Sequence, residues 1–413
     1  MSSPIRVHSE IDVLKTVLLK RPGPEIENLT PEYLETLLFD EIPYLRKMIE
    51  EHNAFAAALS SRGIEVLYLE KLLEESLTSN TLKEGFVHSV LAESNHLYGY
   101  VRDRVQEYLL ELPTADMVEQ IMGGVRKTEP GLKNISEKKS LLASVAAVYP
   151  FYITPMPNLY FTRDPAVVIG DGVSISKMNK PARRKESMFI RFILKYHRRF
   201  SSRDIPIWMD RDFSFSIEGG DILVLSNEAI AIGISERTSA AAIEQLAKNL
   251  FANQQQVKKV MAVDIPKKRA FMHLDTVFTM LDKNLFSIHP EIRNKDDEIY
   301  CFVIEADNSE GGIQITAHTT IESGLKEILG LEEVRFVPCA GGDVIAAPRE
   351  QWSDGTNTLA VAPGVVVTYD RNHVTNRIFR EEYGLEVIEI PSGELSRGRG
   401  GPRCMSMPLL RES

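Results

Sequence analysis

The chain has 413 residues, 43% of them apolar, with a formal net charge of −10 and a pI near 5.5. Its length allows one large domain or two to three smaller ones, and its acid balance argues against a nucleic-acid binder, which carries a basic footprint. No run approaches the roughly 18 apolar residues of a membrane span, and the first residues lack the basic-then-apolar pattern of a leader.

In chain order, residues 13–20 read as a strand halted at Arg21-Pro22-Gly23. Thr30-Pro31-Glu32 opens a helix, with proline at an early position where its missing N–H is tolerated. Apolar residues then recur at helical spacing through Leu34, Leu37, Leu38, Ile42, Leu45 and Ile49, with a break at Pro43. A further helical run ends at Gly63, and 64–69 is a strand. This first unit is strand–helix–strand. From 70 to 148 Leu, Glu, Lys and Ala dominate and strand-like runs vanish. Thr114 reads as an N-cap and Gly123-Gly124 as a helix stop. The span is expected to be an all-helical insertion within a single domain, 1–413.

Beyond it one order of elements recurs. A hairpin turns at Gly170-Asp171-Gly172, followed by a helix at 186–197 and a strand at 207–209. Glu218-Gly219-Gly220-Asp221 leads into strands at 222–225 and 229–232, a helix at 240–251 and a strand at 259–265. His273-Leu274-Asp275 introduces further apolar runs, a helix near 321–329 and a strand at 334–337. Gly341-Gly342-Asp343 repeats the earlier Gly-Gly-Asp, leading into strands at 344–347 and 359–367, a helix at 374–383 and a strand at 385–390. With the first unit this makes five related α/β units. None can bury its apolar face alone, so the five should pack together. Around an axis, their leading turns would meet at one end, bringing together Asp164, Glu218, His273 and the segment before Cys404.

Those turns hold the candidate chemistry. The stretch 396–408 puts one thiol, Cys404, after a turn rich in glycine and arginine. Arginines lower a thiol's pKa, and the thiolate is the nucleophile; a buried structural cysteine accounts for the same stretch. The other cysteines, Cys301 and Cys339, lie far away, and an odd, scattered set fits free thiols in a reducing cytoplasm. Asp164 precedes Pro165, which favours extended backbone; a solvated Arg163–Asp164 pair is the alternative. Glu218 and Asp221 flank two glycines, or simply mark a turn. In an extended chain His273 and Asp275 share a face, where a carboxylate favours the imidazolium. Cys404 with His273 supplies a nucleophile and a proton carrier, and the surplus carboxylates suit a guanidinium, whose N–H donors form a fixed fork. The residues alone point to a cysteine enzyme acting on a guanidino compound. No zinc-site spacing and no phosphate-cradling loop occurs, so neither metal nor cofactor is expected.

Met-Pro-Asn-Leu-Tyr-Phe-Thr-Arg-Asp-Pro at 156–165, Ser-Ile-Glu-Gly-Gly-Asp at 216–221, Met-His-Leu-Asp-Thr at 272–276 and Arg-Cys-Met-Ser-Met-Pro at 403–408, in that order, closely resemble the arginine deiminase family. The resemblance runs end to end. It implies a five-fold pseudosymmetric α/β propeller of ββαβ-type units, as in the guanidino-group-modifying superfamily, with the helical insertion. It implies hydrolysis of L-arginine to L-citrulline and ammonia in arginine catabolism, without metal or cofactor. Cys404 would attack the guanidinium carbon, leaving a covalent thiouronium (amidino-enzyme) intermediate that water hydrolyses. His273 would protonate the leaving amine and then activate the water. Asp164 and Asp275 would grip the guanidinium nitrogens, with Glu218 hydrogen-bonding nearby. Asn158, Arg183, Arg237 and Arg399 match the positions that hold the substrate carboxylate, with Arg184 an alternative to Arg183. Carboxylates near Cys404 would raise its pKa, and a cationic substrate would then promote its ionisation. The resemblance also implies a cytoplasmic homo-oligomer, a dimer or higher, with no nucleic-acid or membrane partner. Two enzymes of the same fold stand as alternatives: an amidinotransferase, which needs an amine acceptor, and an agmatine deiminase, which lacks the carboxylate-binding arginines. A binding module of this architecture would lack the nucleophile. Arg403 and the loop before it receive no role.

Overall fold

One pairing rule recurs in five sheets of the computed structural model, which describes residues 3–94, 97–132, 135, 149–252, 257–268, 270–292, 299–307 and 312–413. A first strand runs antiparallel to a second, and the second runs parallel to a third. Ala166–Ile169, Gly172–Ile175 and Ile207–Met209 form one such sheet. Ile222–Val224, Ala229–Ile234 and Lys259–Asp264 form the next, extended by the hairpin Cys301–Ala306 and Ile313–His318. Phe278–Asp282, Leu285–Ile288 and Arg335–Pro338 follow, then Leu359–Ala362, Val365–Tyr369 and Glu386–Ile390.

The remaining sheet joins the two ends of the chain. Its second and third strands are Val13–Leu19 and Glu65–Tyr68, as expected from the sequence. Its first strand is Met407–Glu412, three residues after Cys404, running antiparallel to Val13–Leu19. The first unit is therefore completed from the C-terminus, which reading each unit in chain order does not reveal.

Parallel neighbours need a crossover, and a helix supplies each one: Leu45–Ser60, Arg184–Tyr196, Ala240–Ala252, Ile321–Leu329 and His373–Glu381. Runs such as Ala-Val-Val-Ile and Ile-Leu-Val are apolar throughout because both faces are covered, and all their residues are buried. In the span expected to be an insertion, the helices Leu69–Ser76, Asn80–Ala92, Gly99–Glu111 and Thr114–Gly123 pack around Phe86, Val90, Val105 and Ile121. Parts of that span, 95–96, 133–134 and 136–148, lie outside the described residues.

Three local expectations are corrected. Residues 344–347 are not a strand: Oδ1 of Asp343 accepts the N–H groups of Ile345 and Ala346, and the helix Ala346–Trp352 follows. The run from Thr30 to Ile49 is interrupted well before Pro43. Leu34–Leu37 ends at Leu38 in the left-handed region (φ 64°), and Nδ2 of Asn158 takes the Leu37 carbonyl at 2.7 Å. Thr114 is the first helical residue, and Pro113 occupies the cap position. Among the described residues no helix is long and apolar enough to cross a membrane.

Candidate active site

A 3-10 turn stands ahead of the first strand of each sheet: Pro157–Tyr160, Gly219–Asp221, Leu274–Thr276, Cys339–Gly342 and Leu395–Gly398. The segments around these turns are linked in a circuit of hydrogen bonds. The Gly219 N–H donates to the Asp164 carbonyl (3.0 Å), and the Leu274 N–H to Oδ1 of Asp221 (2.8 Å). Nδ2 of Asn357 donates to the Asp275 carbonyl (2.9 Å), and the Cys404 N–H donates to Oδ1 of Asn357 (3.1 Å). The Arg163 N–H closes the circuit on the Cys404 carbonyl (3.1 Å). Glycine is required where two turns meet. A Cβ on Gly219 would collide with the Arg163 carbonyl, and one on Gly220 would press on Asp164 and His273.

This circuit brings all nine predicted site residues into one buried region. All but Glu218 and Asp275 line a single cavity of about 20 Å³. Larger cavities of about 750 Å³ lie elsewhere and contain no cysteine. Arg184 lines one of those, whereas Arg183 lines the Cys404 cavity.

His273 sits among acids. Its Nε2 is 2.8 Å from Oε2 of Glu218, and its Nδ1 is 3.8 Å from Oδ1 of Asp164. Burial alone would lower its pKa, but Asp164, the Glu218 hydrogen bond and Asp221 push it up to about 9. The ring is therefore an imidazolium at neutral pH. Glu218 is the converse case: burial opposes its charge, yet His273, Arg237 and Arg183 hold it down at about 2. The sequence paired His273 with Asp275, and here the structure differs. Leu274 begins a 3-10 turn, so the extended geometry ends and the two side chains part.

Asp275 turns instead to the thiol. Its Oδ2 is 3.6 Å from Sγ of Cys404 and 2.7 Å from Nη1 of Arg403. Burial raises the thiol well above its ordinary range, and Asp275, Asp164 and Asp354 add to that, with Arg403 opposing. Arg403 lowers this pKa as expected, but burial and the three acids outweigh it. Arg403 is gripped by Asp275 and by Glu10 at 3.0–3.1 Å. Arg399, at φ 62°, lies over the Trp352 ring at 3.6 Å. Glu10 and Asn357 are site residues the sequence reading missed, and neither lies in a recognisable motif. Glu186 was also missed, although its spacing carries a signal. It follows Arg183 by three residues, a helical neighbour's distance, and holds that guanidinium at 2.8–3.0 Å.

Several buried polar atoms lack a hydrogen-bond partner among the described residues: Oδ1 of Asp164, Oδ1 of Asp275, and Nε and Nη1 of both Arg237 and Arg399. The site thus offers both unsatisfied carboxylate oxygens and unsatisfied guanidinium nitrogens. No His, Cys, Asp or Glu cluster suited to a metal occurs among the described residues.

The fold is mixed α/β. It is similar to SxtG, an amidinotransferase from Microseira wollei in the saxitoxin biosynthetic pathway (TM-score 0.57, 14% identity, 99% of this chain and 98% of that one). It is also similar to dimethylarginine dimethylaminohydrolase from Pseudomonas aeruginosa complexed with citrulline (TM-score 0.52, 15% identity, 96% of this chain and 99% of that one). A family model described as arginine deiminase matches residues 35–411. The chain is 56% identical over 412 residues to the arginine deiminase of Bacillus cereus (strain B4264), covering the whole of both. It is 52% identical to that of Latilactobacillus sakei subsp. sakei (strain 23K), covering 100% of this chain and 99% of the relative. The chain belongs to the arginine deiminase family.

Proposed function

We propose that this chain hydrolyses L-arginine to L-citrulline and ammonia through Cys404, in the manner its family membership implies. The observation that carries the assignment of residues is the presence in one site of unsatisfied atoms of both polarities: carboxylate oxygens of Asp164 and Asp275, and guanidinium nitrogens of Arg237 and Arg399. An amino acid with a guanidinium at one end and a carboxylate at the other satisfies both sets. Asn158 and Arg183 complete the carboxylate end.

The arriving guanidinium sets a positive charge among the acids and favours the thiolate, with Oδ2 of Asp275 the nearest acceptor for its proton. Sulfur attacks the guanidinium carbon, and imidazolium His273 gives its proton to the departing nitrogen, which leaves as ammonia. Neutral His273 then takes a proton from water. The hydroxide adds to the thiouronium carbon, the C–S bond breaks, and citrulline leaves. Asp164 and Glu218 stabilise the positive charge throughout, and Asp275 joins them once the thiol's proton has passed on to solvent. The resting cavity, about 20 Å³, has room for about one water and not for an amino acid, so the loop at 397–403 or the Arg183 side chain must move to admit substrate.

The same reading closes the five sheets into a propeller, treats 1–413 as one catalytic domain with 70–148 inserted, and places a homo-oligomer in the cytoplasm, acting in arginine catabolism. Purified protein should release equimolar citrulline and ammonia from L-arginine. Activity should vanish in Cys404→Ser and be absent with agmatine, which offers Arg237 and Arg399 no carboxylate. Ornithine formation that depends on an amine acceptor would instead identify an amidinotransferase.

A further inference from the structure

Four of the five leading segments supply the thiol, the imidazole and the carboxylates around them, and the fifth supplies Asn357. It lies just before the strand Leu359–Ala362 and is 1% exposed. Its amide is held on three sides. Oδ1 accepts the Cys404 N–H (3.1 Å), while Nδ2 donates to the Asp275 carbonyl (2.9 Å) and to Sγ of Cys404 (3.2 Å). An amide nitrogen has two protons and its oxygen has none. These partners therefore fix the orientation: a flipped amide would set N–H against the Cys404 N–H and oxygen against a carbonyl.

The groups acting on the sulfur are mostly of the wrong sign for a thiolate. Asp275, Asp164 and Asp354 are acids. The cation, Arg403, donates to Asp275, Glu10 and the Ile222 carbonyl. Among the described residues, Asn357 is the hydrogen-bond donor to Sγ.

We propose that Asn357 is a catalytic donor in this reaction, its Nδ2 N–H stabilising the Cys404 thiolate before attack and again as the thiouronium breaks down. In the first step the sulfur pair forms the S–C bond. In the last, water's oxygen takes the carbon, the S–C bond breaks, and the pair returns to a sulfur that already faces an N–H. Hydrogen bonds to an ionised acceptor are about twice as strong as neutral ones, so the contact favours thiolate over thiol and over the alkylated sulfur.

This inference rests on Cys404 being the nucleophile, and the test separates the two. Asn357→Asp keeps the shape and the acceptor for the Cys404 N–H but removes the donor; Asn357→Ser shortens it. The full-length variants, with Cys404→Ser beside them, are assayed for kcat and KM. Their thiol ionisation is read from the pH dependence of iodoacetamide alkylation. The Cys404→Ser protein gives the background from Cys301 and Cys339, whose thiols burial pushes up to about 12 and 11. The expected result for Asn357→Asp is a kcat lowered roughly a hundredfold, as for loss of one charge-stabilising donor. Its KM should change little, and its alkylation midpoint should move to higher pH. An unchanged midpoint and kcat in a folded variant overturns the proposal. Failure of both variants to fold also overturns it, assigning Asn357 to structure. Activity that survives in Cys404→Ser would instead remove the nucleophile itself.

Discussion

Nη1 of Arg183 donates to Oδ2 of Asp164 at 2.6 Å, both side chains buried, so a guanidinium of the protein sits on the carboxylate assigned to the guanidinium of the substrate. The same arginine holds Glu186 through Nε and Nη2. Burial opposes its charge, but Glu186 and Asp164 hold Arg183 well above even its ordinary range. Arg183 therefore neutralises Asp164 at rest, and on the proposed mechanism it would meet the substrate carboxylate once Asp164 has taken the substrate's guanidinium.

Arg183→Gln is expected to damage both binding and stability. It leaves Asp164 and Glu186 buried without their cation, and breaking a buried pair on one side costs about 3–5 kcal/mol. Part of that is recovered by protonating Glu186, whose carboxyl burial already pushes up to about 7. The KM for arginine should rise by at least about tenfold, the equivalent of ~1.4 kcal/mol. The melting temperature should fall, and fall less at pH 6 than at pH 8. An unchanged KM would take Arg183 out of the substrate site.

Gly219→Ala tests the approach of two leading turns. Gly219 is buried, its N–H binds the Asp164 carbonyl, and an added Cβ would meet the Arg163 carbonyl, which is backbone and cannot swing away. Overpacking of this kind costs about 1–3 kcal/mol or more. The variant should be inactive with a lowered melting temperature. Gly63→Ala is the contrast. Nothing lies within 4 Å of its Cβ, so only its left-handed backbone (φ 76°) costs stability and activity should persist. Full activity in Gly219→Ala would show that the two turns can part without harm.

The acid limit of stability is set on the far side of the nucleophile. Burial works against Glu10, yet Arg403 and Arg163 hold its pKa at about 2, against an ordinary value of 4.5. Glu218 is held down to the same level. A depressed carboxyl contributes stability that is complete above its unfolded pKa and lost as pH falls towards its folded one. Thermal stability should therefore decline between about pH 4.5 and 2. Glu10→Gln should be less stable at pH 7 and show a shallower decline over that window, measured by melting temperature against pH. An equally steep decline would place the responsible groups elsewhere.

The repeat and the site were legible in the sequence for the same reason. Many of the strands are nearly continuous apolar runs, and the polar motifs between them fall at the turns, where Asp164, Glu218, His273 and Cys404 lie. What was not legible depends on contacts across the repeat. The pairing of Met407–Glu412 with Val13–Leu19 spans nearly the whole chain, and no local pattern marks it. Gly341-Gly342-Asp343 copies Gly219-Gly220-Asp221 in letters but not in role. One aspartate ties its turn to Leu274, whereas the other caps a helix with Val344 and Ile345 exposed. Asn357 sits between two threonines and becomes part of the site only when its segment meets Cys404 and Asp275.

The hydrogen bond between Glu218 and His273 makes the alkaline limit of activity a property of two residues. His273 stays protonated up to about 9 because Asp164 and Glu218 outweigh the effect of its burial. Its raised pKa adds stability that is complete below its ordinary 6.5 and lost as pH rises through about 9. In the proposed mechanism the imidazolium is also the acid that lets ammonia leave, so kcat/KM should fall over the same upper range. Glu218→Gln keeps the shape and a hydrogen-bonding oxygen but removes the charge, leaving Asp164 and Asp221 to hold the proton. The alkaline limb should then move to lower pH, with activity retained in weakly acidic buffer and lost near pH 8. His273→Gln should abolish turnover at every pH, because among the described residues no other imidazole lines the cavity. If the alkaline limb of Glu218→Gln stays where it is in the parent protein, the limb reports the Cys404 thiol or the substrate, and the assignment of His273 as the acid falls.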